Sequence, residues 1–391
     1  MIYDALIVGA GPAGGYLAYH LARAGLKVLA IDKAKFPRDK TCGGGISQKT
    51  LALIEFDLTP VIRRRISGAY LTYQNRDTMV KDLPGRGGAA VLRSEFDWYI
   101  LQQAIARGAE FIGETNYESA RQVSDHLEVL TSRGRFLAKY LVGADGVYSR
   151  VRNIAFGHDL VSYAPAVEAL IFVPANILEK FQNRVVFDFG GMPNGYGWIF
   201  PKDNHLNVGV FSIYPRKEIS RDLKRFMSFY ATLHASTRIE YSGFAIPLKN
   251  RKQQFQKAGI LLVGDAAGFA ESFYGEGIYF ALKSARVASE AIQLAFDRPT
   301  DHLYTRMVRR QLHFDLRYSE KNARLFYPRQ KFGFYHMVRN KRVNSYFAEL
   351  ITGEMSHREC FYKTLVTSPL WLLSNNAGRN AAGQSYEENG L

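Results

Sequence analysis

The residues with the most specific chemistry are three glycines and one aspartate near the N-terminus. Gly9, Gly11 and Gly14 form a G-x-G-x-x-G pattern, and Asp32 follows Gly14 by 18 positions. Glycines with this spacing permit a tight turn, the approach of a pyrophosphate to the backbone, and close contact between a helix and a strand. The later carboxylate accepts hydrogen bonds from ribose hydroxyls. The pattern therefore predicts that the chain binds a dinucleotide.

The segments around these residues have the patterns of a strand–helix–strand unit. Residues 5–8 and 28–31 are short apolar runs typical of buried parallel strands, and a helical pattern between them ends at Gly25. A further helix is predicted over 93–108, with Ser94 as its N-cap and Asp97 in its first turn. This context favours a dinucleotide site over the alternative, a glycine-rich turn in any α/β fold.

Two later segments repeat an apolar strand followed by a glycine–aspartate turn. Asp145 follows the run at 141–143, and Asp265 follows the run at 260–263. Gly275 and Gly277 then precede a helical pattern. Together with the N-terminal pattern, these segments resemble, in the same order, those of the p-hydroxybenzoate hydroxylase-like superfamily of flavoprotein oxidoreductases.

That resemblance implies FAD as the cofactor. It implies that Asp265 binds the ribitol, that Asp145 supports the pyrophosphate region, and that the helix after Gly277 directs N–H groups at the flavin. Arg93 matches a superfamily arginine that lies along FAD, the alternative being an ordinary surface charge. The predicted cofactor-binding residues are Gly9, Gly11, Pro12, Ala13, Gly14, Asp32, Lys33, Cys42, Gly43, Arg93, Asp145, Gly264, Asp265, Gly275, Gly277 and Ile278.

Two further motifs narrow the resemblance. Residues 40–47 read KTCGGGIS, and residues 194–202 read NGYGWIFPK. They resemble the K-x-C-G-G loop and the Y-x-W-x-F-P signature of the geranylgeranyl reductase family, over about the first 290 residues. The resemblance implies an FAD-dependent reductase that saturates carbon–carbon double bonds of an isoprenoid chain. In such a reaction the hydride from reduced flavin N5 is accompanied by a proton from the site.

The predicted catalytic residues are Cys42, Tyr196, Trp198 and Tyr274. Cys42, Tyr196 or Tyr274 could donate the proton, and the sequence does not choose among them. Tyr196, Trp198 and Phe200 would line an apolar channel for the alkene. The alternatives are a lone buried cysteine and a stripe of aromatic side chains that only fill a sheet core. Tyr274 stands where relatives commonly place a proline.

The fold class expected is α/β, a Rossmann-like FAD-binding domain with an inserted antiparallel sheet and a helical C-terminal region. The FAD-binding domain is predicted over 1–70, 91–160 and 245–298, because the parallel-strand pattern returns after the insert. The antiparallel-sheet substrate domain is predicted over 71–90 and 161–244, where short Val-, Phe- and Tyr-rich runs alternate with turn residues. The basic and aromatic helical region is predicted over 299–374. Residues 375–391 are predicted to form a flexible tail.

An FAD-dependent monooxygenase, hydroxylase or halogenase on the same fold is the alternative function. The halogenase signature W-x-W-x-I-P is partly matched by residues 196–201, with Tyr196 in place of the first tryptophan. The loop around Cys42 favours the reductase.

The charge of the chain is uneven. Its 391 residues carry a net charge of +15. Residues 304–342 contain eleven Lys and Arg and two acidic residues, a net charge of +9, with aromatic residues between them. The segment is consistent with a solvated helical face, with an anionic membrane surface, or with nucleic acid. Nucleic acid is the least favoured because no nucleic-acid-binding motif accompanies the charge.

Several functional classes are excluded. Two cysteines cannot form a disulfide framework, and the nine histidines have no metal-site spacing. No P-loop pattern is present. No apolar run approaches the length of a membrane-spanning helix, and the N-terminus lacks the pattern of a secretory signal. We therefore expect a cytoplasmic protein that can associate peripherally with a membrane. One dinucleotide pattern leaves NAD(P)H or ferredoxin as the expected electron donor.

Overall fold

The structure is a computed structural model that describes residues 1–158, 160–250, 254–296 and 302–367. The predicted tail at 375–391 lies outside these residues. The chain forms two compact units. Unit 1 comprises residues 1–40, 92–163 and 246–316, and unit 2 comprises residues 41–91, 164–245 and those from 317 onward. This division places 41–70 with unit 2 and 299–316 with unit 1, whereas the functional domain boundaries expected from the sequence stay a prediction.

The strands and helices follow one another as the apolar patterns predict. The strands are β1 Ile2–Val8, β2 Val28–Ile31, β3 Gly45–Ile46, β4 Ile62–Arg65, β5 Gly68–Tyr73, β6 Asp77–Asp82, β7 Ala89–Val91, β8 Glu110–Ile112, β9 Tyr117–Val123, β10 His126–Thr131, β11 Gly134–Gly143, β12 Val161–Phe172, β13 Arg184–Asp188, β14 Gly195–Pro201, β15 His205–Ser212, β16 Arg238–Asn250, β17 Gln256–Lys257 and β18 Ile260–Leu262. The helices are α1 Pro12–Arg23, α2 Gln48–Leu51, α3 Arg93–Ile105, α4 Arg150–Phe156, α5 Ala175–Glu179, α6 Ile219–Met227, α7 Gly264–Ala267, α8 Ile278–Leu294, α9 Leu303–Val308, α10 Phe314–Phe326, α11 Gln330–Arg339, α12 Lys341–Thr352 and α13 His357–Thr367.

Unit 1 is built on a largely parallel sheet. Its strand order is β17-β18-β11-β1-β2-β8, and the pairs from β18 to β8 are parallel. In this sheet Leu6 lies between Leu29 and Leu141, and all three are fully buried. The carboxyl ends of parallel strands meet at one edge of a sheet, which is where doubly wound folds bind nucleotides. This edge therefore brings together the turns that follow β1, β2, β11 and β18.

Unit 2 contains a seven-stranded sheet in the order β16-β12-β15-β14-β13-β5-β6. The pairs β12–β15, β14–β15, β13–β14 and β5–β6 are antiparallel, while β13 and β5 are parallel. A separate small sheet has the order β3-β7-β4. The core of unit 2 includes Phe181, Ile199, Val208 and Phe226, each fully buried. The Rossmann-like sheet, the antiparallel insert and the helical C-terminal region are confirmed.

The helix predicted over 93–108 begins at Arg93 as expected and ends at Ile105, but its predicted N-cap is wrong. Leu92 is the N-cap, with extended backbone angles of φ −92° and ψ 128°, and Phe96 N–H donates to its carbonyl at 2.9 Å. Ser94 therefore lies inside the helix and does not cap it. Asp97 is the fifth residue of the helix and not part of its first turn. A serine at this position favours a cap by propensity, but the backbone has already entered the helix at Arg93.

Helices in the described ranges are all too short or too polar to cross a bilayer.

Candidate functional site

The turn between β1 and α1 has no room for side chains. Gly9 has a φ of +101°, and a Cβ there would lie 2.3 Å from the carbonyl oxygen of Ala144. A Cβ at Gly14 would lie 1.8 Å from the carbonyl oxygen of Gly9. Among the described residues no side chain caps α1, whose first residue is Pro12. The N–H groups of its first turn thus remain suited to binding an anion.

Asp32 closes this turn from the next strand. Its Oδ2 accepts a hydrogen bond from Ala10 N–H at 2.8 Å, and its Oδ1 accepts one from Ala34 N–H at 2.9 Å. The side chain is 8% exposed, and Lys33 beside it is exposed. Each carboxylate oxygen has a second lone pair, so Asp32 can still accept hydrogen bonds from ribose hydroxyls.

Two arginines and an aspartate that were not predicted together lie next to Gly11. Arg93 forms two hydrogen bonds of 2.8 Å to Asp97, which is fully buried. Arg38 Nη1 lies 3.3 Å from the same carboxylate. A Cβ at Gly11 would lie 3.2 Å from Arg38 Nη2. One carboxylate thus holds two cations beside the start of α1, where a pyrophosphate is expected.

The Asp145 carboxylate accepts hydrogen bonds from the start of the helix that follows it. Its Oδ1 accepts from Ser149 Oγ at 2.5 Å, and its Oδ2 accepts from Arg150 N–H at 2.7 Å and from Val151 N–H at 3.2 Å. Ser149 in turn caps α4 by accepting from Arg152 N–H. The structure therefore places Asp145 as a residue that shapes the turn, and its contribution to the pyrophosphate region stays a prediction.

Arg152 ties the two glycine–aspartate turns together. Its guanidinium donates to the carbonyl of Val147 at 2.9 Å and to that of Ala266 at 3.1 Å, and the residue is 2% exposed. Ala266 follows Asp265 directly, so one buried cation connects the turns after β11 and β18. This role was not predicted, because the contact with Ala266 spans 114 positions.

The Asp265 side chain, which belongs to α7, lies beside the N-terminus of α8. A Cβ at Gly277, the N-cap of that helix, would be 3.4 Å from Asp265 Oδ1. Gly264 has a φ of +54°, and a Cβ there would lie 3.0 Å from the Cβ of Ala13. Burial raises the pKa of the Asp265 carboxyl, while Lys40 and Arg93 oppose that shift. The structure thus brings the start of α1 and the start of α8 to the same turn, with Ile278 as the first residue of α8.

Tyr274 lies in a loop that a buried glutamate organises. Glu271 is fully buried, and its carboxylate accepts hydrogen bonds from the backbone N–H groups of Phe273, Tyr274 and Glu276. Gly275 in the same loop has a φ of +69°. Glu271 was not predicted as a site residue. Its position three residues before Tyr274, in a turn rich in glycine, was the available signal.

In unit 2 the two family motifs form one structure. A Cβ at Gly43 would lie 3.0 Å from the ring of Phe200 and 3.3 Å from Trp198 Nε1, and a Cβ at Gly45 would lie 2.9 Å from the Phe200 ring. The glycines therefore let the loop that carries Cys42 lie directly against the aromatic side chains of β14. Cys42 is half-buried.

The aromatic side chains of β14 are well packed. Tyr196 is 5% exposed and Trp198 is 7% exposed, and their ring centroids are 6.0 Å apart. Trp198 Nε1 donates to Asn207 Oδ1 at 2.7 Å. A Cβ at Gly209 would lie 2.1 Å from the Trp198 indole, so this glycine makes space for the ring. Core packing and a channel wall are both compatible with these positions.

In the basic segment, residues 304–342, most of the described cations are exposed, and the aromatic rings range from buried to the 49% exposed Phe314. Tyr318, Tyr327 and Phe334 are buried, so they are not placed to lie at the level of lipid headgroups. Phe326, Phe332 and Tyr335 are half-buried. The exposed cations are Arg306, Arg309, Arg310, Arg317, Arg324, Arg329, Lys331 and Arg342. Any partner of this surface would therefore be attracted mainly by charge.

The residues of unit 1 fit FAD. A turn that excludes side chains, an uncapped helix start, the cations Arg38 and Arg93, and the carboxylates Asp32 and Asp265 match the phosphates, ribose and ribitol of a dinucleotide. Within the described residues, no group of three or more His, Cys, Asp or Glu side chains is arranged to hold a metal ion.

Comparison with known proteins agrees with this geometry. Residues 2–156 match the family described as FAD binding domain, so FAD is the cofactor. A chloroplastic geranylgeranyl diphosphate reductase of Oryza sativa subsp. japonica is 31% identical over 352 residues, which cover 83% of this chain and 72% of the relative. A digeranylgeranylglycerophospholipid reductase of Methanosphaera stadtmanae is 29% identical, covering 74% of this chain and 78% of the relative.

Solved structures share the fold. A geranylgeranyl bacteriochlorophyll reductase-like protein from Thermoplasma acidophilum superposes with a TM-score of 0.69 at 20% identity, covering 95% of this chain and 98% of the other. A flavin-dependent brominase superposes with a TM-score of 0.69 at 19% identity, covering 94% of this chain and 99% of the other. At these identities the likeness establishes the architecture, and it does not separate reductase from halogenase.

Proposed function

Because this chain belongs to the geranylgeranyl reductase family of FAD-dependent oxidoreductases, we propose that it saturates carbon–carbon double bonds of an isoprenoid chain. The observation that carries the proposal is the contact in unit 2 between the Cys42 loop and the aromatic side chains of β14. An isolated alkene has no electrophilic handle, so its reduction needs an apolar wall, the exclusion of water and a positioned proton donor. A half-buried cysteine on a loop that lies against aromatic rings offers a wall and a candidate donor for these needs.

We propose the following division of roles for the cofactor. Reduced FAD supplies two electrons as a hydride to one alkene carbon. Gly9, Gly11, Gly14 and the start of α1 hold the pyrophosphate, with Arg93 as a counter-charge. Asp32 binds the ribose. The further residues proposed to contact or shape the cofactor site are Pro12, Ala13, Lys33, Cys42, Gly43, Asp145, Gly264, Asp265, Gly275, Gly277 and Ile278.

Cys42 is our proposed donor of the proton to the second alkene carbon. Its thiol is half-buried, whereas Tyr196 is buried among Phe187, Trp198 and Phe211. A donor must reach the substrate, which favours the accessible group. Tyr196 and Trp198 then act as walls that exclude water. Tyr274, half-buried in unit 1, is the second candidate donor.

Mass spectrometry tests the reaction and the donor together. We expect the protein, reduced anaerobically and given geranylgeranyl diphosphate or an archaeal-type geranylgeranyl lipid, to add about 2 Da per double bond. Loss of a general acid typically costs a factor of about 100 or more. Cys42→Ala should therefore retain FAD and lose that factor in turnover, while Tyr196→Phe should stay within about threefold of the parent. If Cys42→Ala turns over as fast as the parent, Cys42 is not the donor.

The same assay separates the reductase from the alternative on this fold. The brominase likeness favours a monooxygenase or halogenase as the second candidate function. Run in air, such an enzyme would add about 16 Da for one oxygen atom or replace hydrogen by halogen. Either product, without any saturated isoprenoid, would contradict the proposed reductase.

We propose NAD(P)H or ferredoxin as the electron donor. The sequence contains one G-x-G-x-x-G pattern with strand and helix context, and this one fits FAD. The electron donor would therefore reach the flavin without a second dinucleotide-binding fold to bind it. Flavin reduction by NADPH and by reduced ferredoxin, followed by absorbance, identifies which of the two serves.

We also propose that the basic segment rests on an anionic membrane surface at the cytoplasmic side, where a lipid-tailed substrate resides. Each exposed Lys or Arg near an anionic bilayer contributes about 1 kcal/mol. Replacing Arg317, Arg329 and Lys331 by glutamine should therefore weaken sedimentation with phosphatidylserine vesicles at least tenfold, which corresponds to about 1.4 kcal/mol. Added salt should weaken the binding of the parent.

The matched control removes three exposed cations from unit 1. Arg121, Arg133 and Arg135 are exposed and lie outside the basic segment. Their replacement by glutamine leaves the same net charge as the test variant. Equal loss of vesicle binding in both variants would show that net charge, and not the basic segment, causes the binding. Equal sedimentation of the parent with neutral and with anionic vesicles would contradict the membrane proposal.

A further inference from the structure

A buried lysine anchors the loop that carries Cys42. Lys202 follows β14 directly and is 2% exposed. Its ammonium donates to the carbonyl oxygens of Gly43 at 2.7 Å, Val91 at 3.0 Å and Gly44 at 3.4 Å. An ammonium has three N–H donors, so these three carbonyls satisfy it fully. The charge is thus held by the backbone of the loop that begins at Cys42.

A buried glutamate holds the same loop at Cys42 itself. Glu168 lies on β12 and is 4% exposed. Its Oε1 accepts from Cys42 N–H at 3.1 Å and from Ser242 Oγ at 3.3 Å. The Asn207 side chain also hydrogen-bonds to Glu168, and Asn207 accepts from Trp198 Nε1. The carboxylate therefore links the backbone of Cys42 to the aromatic side chains that face the loop.

The two groups have opposite charges, and both hydrogen-bond to the backbone of the loop that carries Cys42. Burial lowers the pKa of the Lys202 ammonium to about 8, and the charges of Cys42 and Glu168 oppose this shift. Burial raises the pKa of the Glu168 carboxyl, while Asn207 and Cys42 N–H oppose the rise. Buried charges of this kind are costly unless hydrogen bonds satisfy them, and each of the two has several such bonds here.

Other charged groups near this pair do not replace it. Asp203 forms an ion pair with Arg63 at 3.4 Å, and the Asp203 side chain is 44% exposed. Burial lowers the pKa of His205 to about 4, so its imidazole is neutral near pH 7. Arg64 Nε donates to the backbone carbonyl of Lys202 at 3.1 Å. Arg238 is exposed and paired with Glu240.

We propose that Glu168 and Lys202 are positioning residues for Cys42, which together fix its loop and set the charge that its thiol experiences. Lys202 stabilises the thiolate left after a proton has been donated, and Glu168 opposes it, so the balance of the two adjusts how readily the thiol gives up its proton. This inference rests on the proposed role of Cys42 as proton donor. Neither residue was predicted from the sequence.

Alkylation of the Cys42 thiol tests the proposal without any substrate. The sequence has two cysteines, so a Cys360→Ala background leaves Cys42 as the only thiol in the FAD-bound protein. The rate of reaction with iodoacetamide, measured from about pH 6 to about pH 10, gives the titration of this thiol. Lys202→Met removes a nearby positive charge and should therefore slow the reaction near pH 7 several-fold and move the profile to higher pH. Glu168→Gln should move it down and speed the reaction.

A purely structural role gives a different result. Loss of either anchor would then free the loop and make the thiol more reactive in both variants. The proposal is overturned if the two variants shift the profile in the same direction, or if either leaves it unchanged. Lys202→Gln, whose amide can still donate to the loop carbonyls, gives the same test if Lys202→Met does not fold.

Two exposed residues of unit 2 serve as controls. Lys217→Met and Glu179→Gln change the same charges at exposed positions and should leave the profile in place. The alkylation result does not depend on isoprenoid reduction. Lys202→Met and Glu168→Gln could thus shift the alkylation profile in opposite directions while mass spectrometry detects no saturated isoprenoid. That outcome would reject the proposed function and not the positioning role.

Discussion

Replacing Gly14 by alanine should abolish the retention of FAD. A Cβ at this position would lie 1.8 Å from the carbonyl oxygen of Gly9 and 2.9 Å from its carbonyl carbon. Both atoms belong to the backbone, so no side-chain rotation relieves the overlap. Either α1 must move away from β1 or the turn at Gly9 must open, and each change displaces the N–H groups that face the pyrophosphate. We expect FAD affinity to fall at least 100-fold, which corresponds to about 2.7 kcal/mol.

The control for this prediction lies at the other end of the same helix. Gly25 has a φ of +82° and no atom within 4 Å of a Cβ built there. Gly25→Ala therefore introduces backbone strain of about 1 kcal/mol without a steric overlap. The FAD-to-protein absorbance ratio and a titration of apoprotein with FAD measure both variants. Binding by Gly14→Ala within about threefold of the parent would contradict the role given to this glycine.

The parts of the fold that the sequence predicts are those with local causes. The strands at 5–8 and 28–31 and the glycine turn between them follow from apolar runs and from residues that only a tight turn needs. The antiparallel insert is visible for the same reason, since β-rich runs alternate with turn residues. The N-cap of α3 was misassigned to Ser94 because serine propensity is a weaker determinant than the path of the backbone that enters the helix.

The residues that hold the site could not be found in this way. Glu168 contacts Cys42 across 126 positions, and Lys202 contacts Gly43 across 159. Nothing local to Glu168 distinguishes it from a surface charge, and Lys202, although it ends the motif at 194–202, has no local sign of the carbonyls that it contacts. Arg38 and Asp97 were likewise invisible as a pair, because their contact depends on how α3 packs beside the turn at Gly11. Motifs identify the groups that react, whereas the groups that position them are set by tertiary contacts.

The basic segment shows the same limit on a surface. In the sequence its cations and rings are interleaved, which fits a membrane belt as well as a packed helix. In the structure Tyr318, Tyr327 and Phe334 are buried while the nearby Arg317, Arg329 and Lys331 are exposed. The orientation of each side chain depends on which helix face is covered. The exposed charge therefore carries the membrane proposal, and among the described rings of the segment Phe314 is the exposed one.

Replacing Glu271 should weaken FAD binding and turnover in a graded way. Its Oε1 accepts from the N–H groups of Tyr274 and Glu276, and its Oε2 accepts from Phe273 N–H. Alanine leaves all three donors without this acceptor in a buried loop, and each lost partner costs about 1 kcal/mol or more. Glutamine keeps one acceptor oxygen for two of the three donors. We therefore expect FAD affinity and turnover to be lowest in Glu271→Ala, intermediate in Glu271→Gln and highest in the parent.

The loop that Glu271 organises leads to Gly277, the N-cap of α8, beside Asp265. Disorder there should reach the proposed ribitol contact, so Glu271→Ala should lower FAD affinity by about 30-fold, or about 2 kcal/mol. Turnover should fall further, since Tyr274 lies in the same loop. Glu290→Gln is the control, because Glu290 forms an exposed i, i+4 pair with Arg286 on α8 and its loss costs under about 0.5 kcal/mol. Equal FAD affinity in Glu271→Ala and Glu290→Gln would show that the loop does not depend on this carboxylate.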